Sequence, residues 1–368
     1  MSDLPRLVLE DGTVFEGVAF GGGGAVAGEV VFNTGMTGYP ETLTDPSYSG
    51  QILVLTFPLT GNYGVPPYGE DELGLPIGFE SPRVQIAALV VSEHSERYSH
   101  HQATRSLHTW LAEAGVPALH GVDTRSLTMR LRDKGTMLGR IEIGSDRPDF
   151  VDPNATHLVQ AVSPTEERAI DSGSSRPTVV LVDCGCKTSI VRCLVERGLN
   201  VISVPHDDYF LNHDFDGLVI SNGPGDPQMC GASVKNVERA LAVGKPILGI
   251  CLGHQILGMA IGGETYKLKF GHRSQNQPCV EIEDGEGATD RRSCYVTAQN
   301  HGYALREEGL PEDWRVWFEN ANDGTVEGIR HTSKPFFGVQ FHPEARPGPV
   351  DTAWIFDDFV GHVKRGIR

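Results

Sequence analysis

The sequence predicts a two-domain α/β chain. Its C-terminal half reads as an open, mostly parallel sheet with helices on both faces, preceded by a β-rich α/β domain. Three observations carry this. The chain has 368 residues, where a domain usually holds about 100–200. Its first half shows short apolar strands broken by Asp-Gly and glycine turns. After Pro177, buried-strand runs alternate with helical runs, as in a parallel sheet packed on both sides. The domains are expected at 1–150 and 177–368, with 151–176 as a linker.

Leu7-Val8-Leu9 and Val14-Phe15 flank Glu10-Asp11-Gly12-Thr13, and Asp-Gly between apolar runs marks a hairpin. Strands are expected at Gly28–Asn33, Gln51–Phe57 and Val84–Val91. The run Gly21–Gly24 has no Lys-Ser/Thr after it, so it reads as a turn rather than a phosphate loop. Helices are expected at Ser99–Ala114, stopped by Gly115, and at Asp123–Lys134, capped by Asp123 and stopped by Gly135. The stretch Ser145–Pro177 around the linker carries Pro148, Pro153, Pro164 and Pro177 and the run Asp171-Ser172-Gly173-Ser174-Ser175. Beyond it, strands are expected at Thr178–Val182, Val201–Val204, Leu218–Ile220 and Pro246–Ile250. Helices follow at Thr188–Arg197, Ala232–Ala242 and Leu252–Ala260.

Lysine and arginine number 31 against 48 acidic residues, a net charge of −17. That balance argues against a chain that coats nucleic acid and against a polybasic membrane anchor. No apolar run approaches the ~18–20 residues that span a bilayer. Met1-Ser2-Asp3-Leu4-Pro5 shows no signal region, so the cytoplasm is the expected location, and a processed mitochondrial chain would look the same. Seven cysteines, none before Cys184, fit a reducing compartment better than a disulfide framework. Cys184 and Cys186 lack a second ligand pair at zinc spacing. They read as small residues near a strand end, and no metal is expected.

Four segments carry chemistry. In Pro246-Ile247-Leu248-Gly249-Ile250-Cys251-Leu252-Gly253-His254-Gln255 an apolar strand runs through G-x-C-x-G into a helix. That is a nucleophile elbow with cysteine in place of serine. The glycines allow the sharp turn, and the helix N-terminus favours the reactive thiolate. The N–H of Leu252 is then placed to donate to an oxyanion. A cysteine nucleophile needs a base and an orienter. The strand Phe336–Phe341 ends in His342-Pro343-Glu344, and residues two apart on an extended chain share a side, so Glu344 can hold His342 toward Cys251. Leu218–Ile220 leads into Ser221-Asn222-Gly223-Pro224-Gly225, where glycines let backbone amides approach a substrate. Gln299-Asn300-His301-Gly302-Tyr303 follows a strand-like run and, taken alone, reads as a turn.

Together these segments resemble a class I, triad-type glutamine amidotransferase from about Pro177 to Arg368, with Cys251, His342 and Glu344 as nucleophile, base and orienter. The first half narrows the resemblance. Leu7–Gly12, Gly28–Tyr39, Leu43–Tyr48, Gly121–Arg125 and Leu127-Thr128 are similar to the small subunit of carbamoyl-phosphate synthetase. Gly61–Pro66 and Phe79–Ser81 look closer to eukaryotic versions, including the amidotransferase region of fused synthetases. The resemblance implies glutamine contacts from Ser47, Gly223, Gly225, Leu252, Gln255, Asn300, Gly302 and Tyr303, the last often Phe in the family. It also implies a large synthetase subunit or domain that uses ATP and Mg, receives the ammonia and makes carbamoyl phosphate for arginine or pyrimidines. This chain itself shows no phosphate loop or metal cluster, so no cofactor is expected in it. Three other readings stand beside this one. They are an amidotransferase serving a different synthase, a free-standing γ-glutamyl hydrolase or cysteine peptidase, and a non-enzymatic docking subunit.

Overall fold

The computed structural model describes residues 4–170, 173, 175–282 and 293–366. Met1-Ser2-Asp3, and Asp171, Ser172 and Ser174 of the expected linker, lie outside them. The chain divides into two units, Met1–Leu158 and Val159–Arg368.

The N-terminal unit holds an eight-stranded sheet. Its centre is four parallel strands, Val26–Asn33, Gln51–Leu55, Ala88–Val90 and Pro117–His120. Antiparallel strands flank them, among them the expected hairpin, Arg6–Leu9 with Val14–Glu16, in which Leu7 faces Phe15. Residues 84–87 stay outside the strand expected there, which is confined to Ala88–Val90. The helix Thr124–Lys134 starts where Asp123 accepts from the Ser126 N–H and stops at Gly135, with φ of 104°. The helix expected from Ser99 begins only at Leu107. Ser106 caps it by accepting from the Thr109 N–H, and just before it Thr104 and Arg105 pair with Val65 instead of coiling. Of the glycine run expected as a turn, Gly21 ends the strand Val18–Gly21 and the rest is a connection, packed at Gly22 and Gly23 too closely for side chains. A Cβ on Gly22 would stand 2.6 Å from the Ala112 carbonyl oxygen, and one on Gly23 would stand 2.4 Å from that of Gly115.

The C-terminal unit holds a ten-stranded mixed sheet. Its parallel half runs in the order Asn200–Pro205, Thr178–Asp183, Gly217–Ile220, Ile247–Ile250, Phe336–Val339. These strands are short Val/Ile/Leu runs because both faces are covered. The helices Thr188–Glu196, Gly231–Val243, Leu252–Ala260 and Trp354–Gly366 belong to this unit. The other half is antiparallel, from Val326–His331 through Cys294–Leu305 and Thr265–Glu281 to Trp314–Asn320. Gln299–Tyr303 is therefore the middle of a strand, not a turn. The segment expected as a linker carries structure. It includes a turn at Pro153–Ala155, a short helix at Leu158–Val162 and the strand Arg168–Ile170, which pairs with Asn200–Pro205. Val159 is in the core of the C-terminal unit, so that unit begins before residue 177.

The parallel strands Gly217–Ile220 and Ile247–Ile250 end side by side, and the helix Leu252–Ala260 starts where they end. This corner has no spare room. A Cβ on Gly249 would lie 2.5 Å from the Gly253 carbonyl oxygen, and one on Gly253 only 2.0 Å from that of Ile220. Both neighbours are backbone and cannot swing away. Gly253→Ala is expected to lower stability toward the upper end of the ~1–3 kcal/mol that overpacking costs, or beyond it. Chemical denaturation followed by a probe in the C-terminal unit reads this directly, and a wild-type midpoint would show that the corner can open.

Candidate active site

Cys251 is the residue on which the strand turns into the helix. It holds φ of 54° and ψ of −105°, one of three non-glycine residues with positive φ in the chain's described part. Such a conformation costs about 1–3 kcal/mol and persists only where the surroundings impose it. Here the Cys251 N–H is tied to the Val339 carbonyl at 2.8 Å, and the flanking glycines allow the close approach. The thiol is 2% exposed. It faces the Asn300 carbonyl at 3.8 Å, and the Gln340 side chain donates to it at 3.6 Å.

His342 follows the strand beside the elbow strand, and its N–H is fixed by the Ala298 carbonyl at 2.9 Å. Its Nδ1 meets Glu344 Oε1 at 2.6 Å, both side chains being buried. With Nδ1–H donated to the carboxylate, Nε2 is the nitrogen left to exchange a proton with the Cys251 thiol. Burial opposes a charge on the ring, but the Glu344 carboxylate outweighs it and lifts the ring to about 10, with the Cys251 thiol adding to the pull. Glu344 is itself held by Lys187, whose Nζ lies 2.8 Å from the same Oε1 and 2.7 Å from the Ala345 carbonyl oxygen. Burial would raise the carboxyl, yet the Lys187 and His342 charges bring it down to about 2. His254, on the elbow helix, is fully buried with no carboxylate to hold it, and burial lowers it to about 4. Of these two histidines, His342 is the one held by a carboxylate.

The other expected residues fall into two groups. Leu252 is the first residue of the helix, 1% exposed, so its N–H belongs to the unbonded first turn. Gly223 packs against it, since a Cβ there would be 2.7 Å from Leu252 Cδ2 and 2.2 Å from the Cys184 carbonyl oxygen. Gly225, two residues on, has φ of 86°. Gln255 Nε2 donates to the Tyr303 carbonyl at 2.7 Å and to Gln340 Oε1 at 2.9 Å. Of these, Leu252 follows Cys251 and Asn300 turns its carbonyl to the thiol, while Gly223 packs on Leu252 and Gln255 ties to Tyr303. Ser47 belongs to the N-terminal unit, in the buried turn Pro46–Tyr48 capped by Asp45. Cys184 is buried, and burial pushes its thiol well up, while Cys186 Sγ donates to the Lys187 carbonyl at 3.3 Å.

Two residues escaped the sequence reading. Lys187 is a lone charge following the buried strand Thr178–Asp183, and a charge in that place needs a buried partner. Gln340 stands two before His342, just past the strand Phe336–Val339, and its side chain reaches the thiol.

The family described as glutamine amidotransferase class-I matches residues 180–362. The carbamoyl-phosphate synthase small chain, CPSase domain, matches residues 7–141. The carbamoyl phosphate synthase arginine-specific small chain of Chaetomium globosum is 45% identical over 97% of this chain and 78% of its own length. The multifunctional protein CAD of Squalus acanthias is 51% identical over 97% of this chain, and the multifunctional protein pyrABCN of Emericella nidulans is 49% identical over 98%. The chain spans only 16% and 17% of the length of those two relatives. The chain belongs to the carbamoyl-phosphate synthase small-chain family, with a class-I glutamine amidotransferase domain as its C-terminal half.

The Lys187 contact has a measurable consequence. Lys187 is the larger of the two charges that depress Glu344. In Lys187→Met the carboxyl protonates at higher pH, and a neutral Glu344 no longer holds His342. The acid limb of the pH–rate profile is expected to move to higher pH, with the alkaline side still active. An unmoved acid limb would show that Lys187 is only structural.

Proposed function

We propose that this chain hydrolyses L-glutamine through a γ-glutamyl thioester on Cys251 and delivers the ammonia to a carbamoyl-phosphate synthetase large subunit or domain. The observation that carries the chemistry is the strained, buried Cys251 at a helix start, in one unit with a histidine whose Nδ1 is fixed by Glu344. Family membership supports the choice of glutamine as substrate and of the synthetase as partner.

The steps follow from the atoms. The Cys251 sulfur, its proton already carried on His342 Nε2 in the imidazolium that Glu344 stabilises, attacks the side-chain amide carbon of glutamine. The backbone N–H of Leu252, with that of Gly225, receives the negative charge that builds on the oxygen, a contribution of about 10²–10³-fold per donor. The tetrahedral adduct collapses as His342 returns the proton to the departing nitrogen, and ammonia leaves. Proton transfer of this kind contributes about 10²–10⁴-fold. Water, activated by the same Nε2, then attacks the thioester and frees glutamate and the thiol. Glu344 holds the ring in one tautomer throughout. Gln255, Asn300, Gly302 and Tyr303 would hold the amino-acid end of the substrate, with the Asn300 carbonyl already facing the thiol. No cofactor is assigned to this chain. ATP and Mg would be used by the synthetase partner, and the ammonia would travel to it without release. The product would serve pyrimidine or arginine synthesis. The seven free cysteines support a reducing compartment, and we place the chain in the cytoplasm, with the mitochondrial matrix as the other candidate.

The test is glutamate release from L-glutamine by the chain and by Cys251→Ala, each with and without a cognate synthetase partner, ATP and bicarbonate. We expect release that is lost with the thiol and that rises when the working partner is present. Release that ignores a bound partner would favour a free-standing hydrolase. No release in either state would leave a docking role.

A further inference from the structure

Behind the reacting residues lies a buried polar cluster that the mechanism does not use. His272, His301 and Glu327 present ligand atoms that all lie within 4.8 Å of one another. They come from three strands, Thr265–Glu281, Cys294–Leu305 and Val326–His331. A divalent metal is the obvious candidate for two imidazoles and a carboxylate, but the hydrogen bonds speak against it. The Asn320 amide nitrogen donates to Glu327 Oε1 at 3.0 Å and lies 3.4 Å from His272 Nδ1, so N–H dipoles point where a cation would sit. The His272 ring is already engaged at both nitrogens. Nδ1 meets Glu327 Oε1 at 3.2 Å, and Nε2 meets Asp323 Oδ2 at 2.9 Å. Burial opposes its charge, but the two carboxylates outweigh burial and lift the ring to about 9. Burial raises the Glu327 carboxyl while the His272 charge pulls it back down, and the hydrogen bonds fit a protonated His272 better than a bound cation.

This charged pin reaches the active site by two routes. The Glu327 backbone carbonyl accepts the Gln340 N–H at 2.8 Å, and the Gln340 side chain donates to the Cys251 sulfur. On the other side, the His272 ring meets the His301 ring edge-on, with centroids 5.0 Å apart. Burial holds His301 neutral, helped by the positive charge of His272 and by Arg273 and His342. In that state its Nδ1–H donates to the Tyr303 carbonyl at 2.8 Å, the same oxygen that receives Gln255. The residue before His301 is Asn300, whose carbonyl faces the thiol. Gln299–Tyr303 is thus one wall of the space beside Cys251, and its backbone is shaped from behind.

We infer that the His272–Glu327 ion pair, braced by Asp323, positions the Gln299–Tyr303 wall and so sets how tightly glutamine is held rather than how fast the thioester forms. This rests on the glutaminase reading above. None of the three touches the reacting atoms, so they are positioning residues.

The test uses the full chain as Glu327→Gln and as the double variant His272→Gln with Glu327→Gln. The double variant removes both charges together, so neither is left buried alone and the fold is kept. Three quantities are read: KM and kcat for glutamine, the rate at which iodoacetamide alkylates Cys251, and backbone amide exchange across 299–303. We expect KM to rise about tenfold, the size of effect that contacting networks show. Values of kcat and alkylation rate should stay within about twofold on the same scale. Exchange should quicken at 299–303 and not across the unit. Unchanged KM with unchanged exchange overturns the inference. So does a fall in kcat at constant KM that tracks the loss of folded protein. If the wild-type chain hydrolyses no glutamine, the functional reading fails, and the exchange at 299–303 still decides whether the pin positions the wall.

Discussion

The active half of this protein depends on one backbone constraint, a cysteine held at positive φ between two glycines that have no room for a side chain. At Cys251 the chain must leave a buried parallel strand and enter a helix within a single residue. Gly253 lies against the Ile220 carbonyl and Gly249 against Gly253, so the turn is clamped between two strand ends. The strain of order 1–3 kcal/mol is offset by that packing and by the tie to Val339. What results is a thiol that cannot relax into the core. It stands at the carboxyl ends of the parallel strands, where open α/β sheets place their ligands.

Around the thiol, buried charges come as neighbours of opposite sign. Lys187, Glu344 and His342 form a chain in which each charge has a partner within hydrogen-bond distance. Removing one member would leave another buried and unpaired, a loss of about 3–5 kcal/mol in comparable cases. The same linkage makes the site sensitive to pH at both ends. The raised affinity of His342 contributes stability that is present below its unfolded value and is lost as pH climbs through about 10. The lowered Glu344 contributes stability that is lost only as pH falls through about 2. The triad's charges are thus held together across the neutral range.

Much of this was legible in the sequence because it rests on local rules. The elbow could be read from glycine spacing and the helix Thr124–Lys134 from its cap and stop, while the His342–Glu344 pair is read correctly but for the wrong reason, since the strand ends at Val339 and the chain turns at Pro343-Glu344. What escaped was set by partners distant in the chain. Lys187 finds Glu344 across 157 residues, and His272 finds Glu327 across 55, so neither pairing leaves a local trace. Residues 99–106 look helical, but Thr104 and Arg105 are drawn into pairing with Val65, and Gln299–Tyr303 looks like a turn until its ribbon partner is in place. The antiparallel half of the C-terminal sheet hid for the same reason. Its long strands carry polar residues, Gln299, Asn300 and His301 among them, that face a buried network rather than solvent.

The central claim is that Cys251, lifted by the elbow and served by His342, becomes covalently acylated by glutamine. The most direct measurement is intact-mass and peptide analysis of the chain, acid-quenched while turning over L-glutamine. The account predicts a γ-glutamyl adduct on the peptide carrying Cys251 and on none of the other six cysteines, and it predicts that the adduct builds up when thioester hydrolysis is slowed. Glutamate production with no adduct under those conditions, or with an adduct on another cysteine, would contradict it.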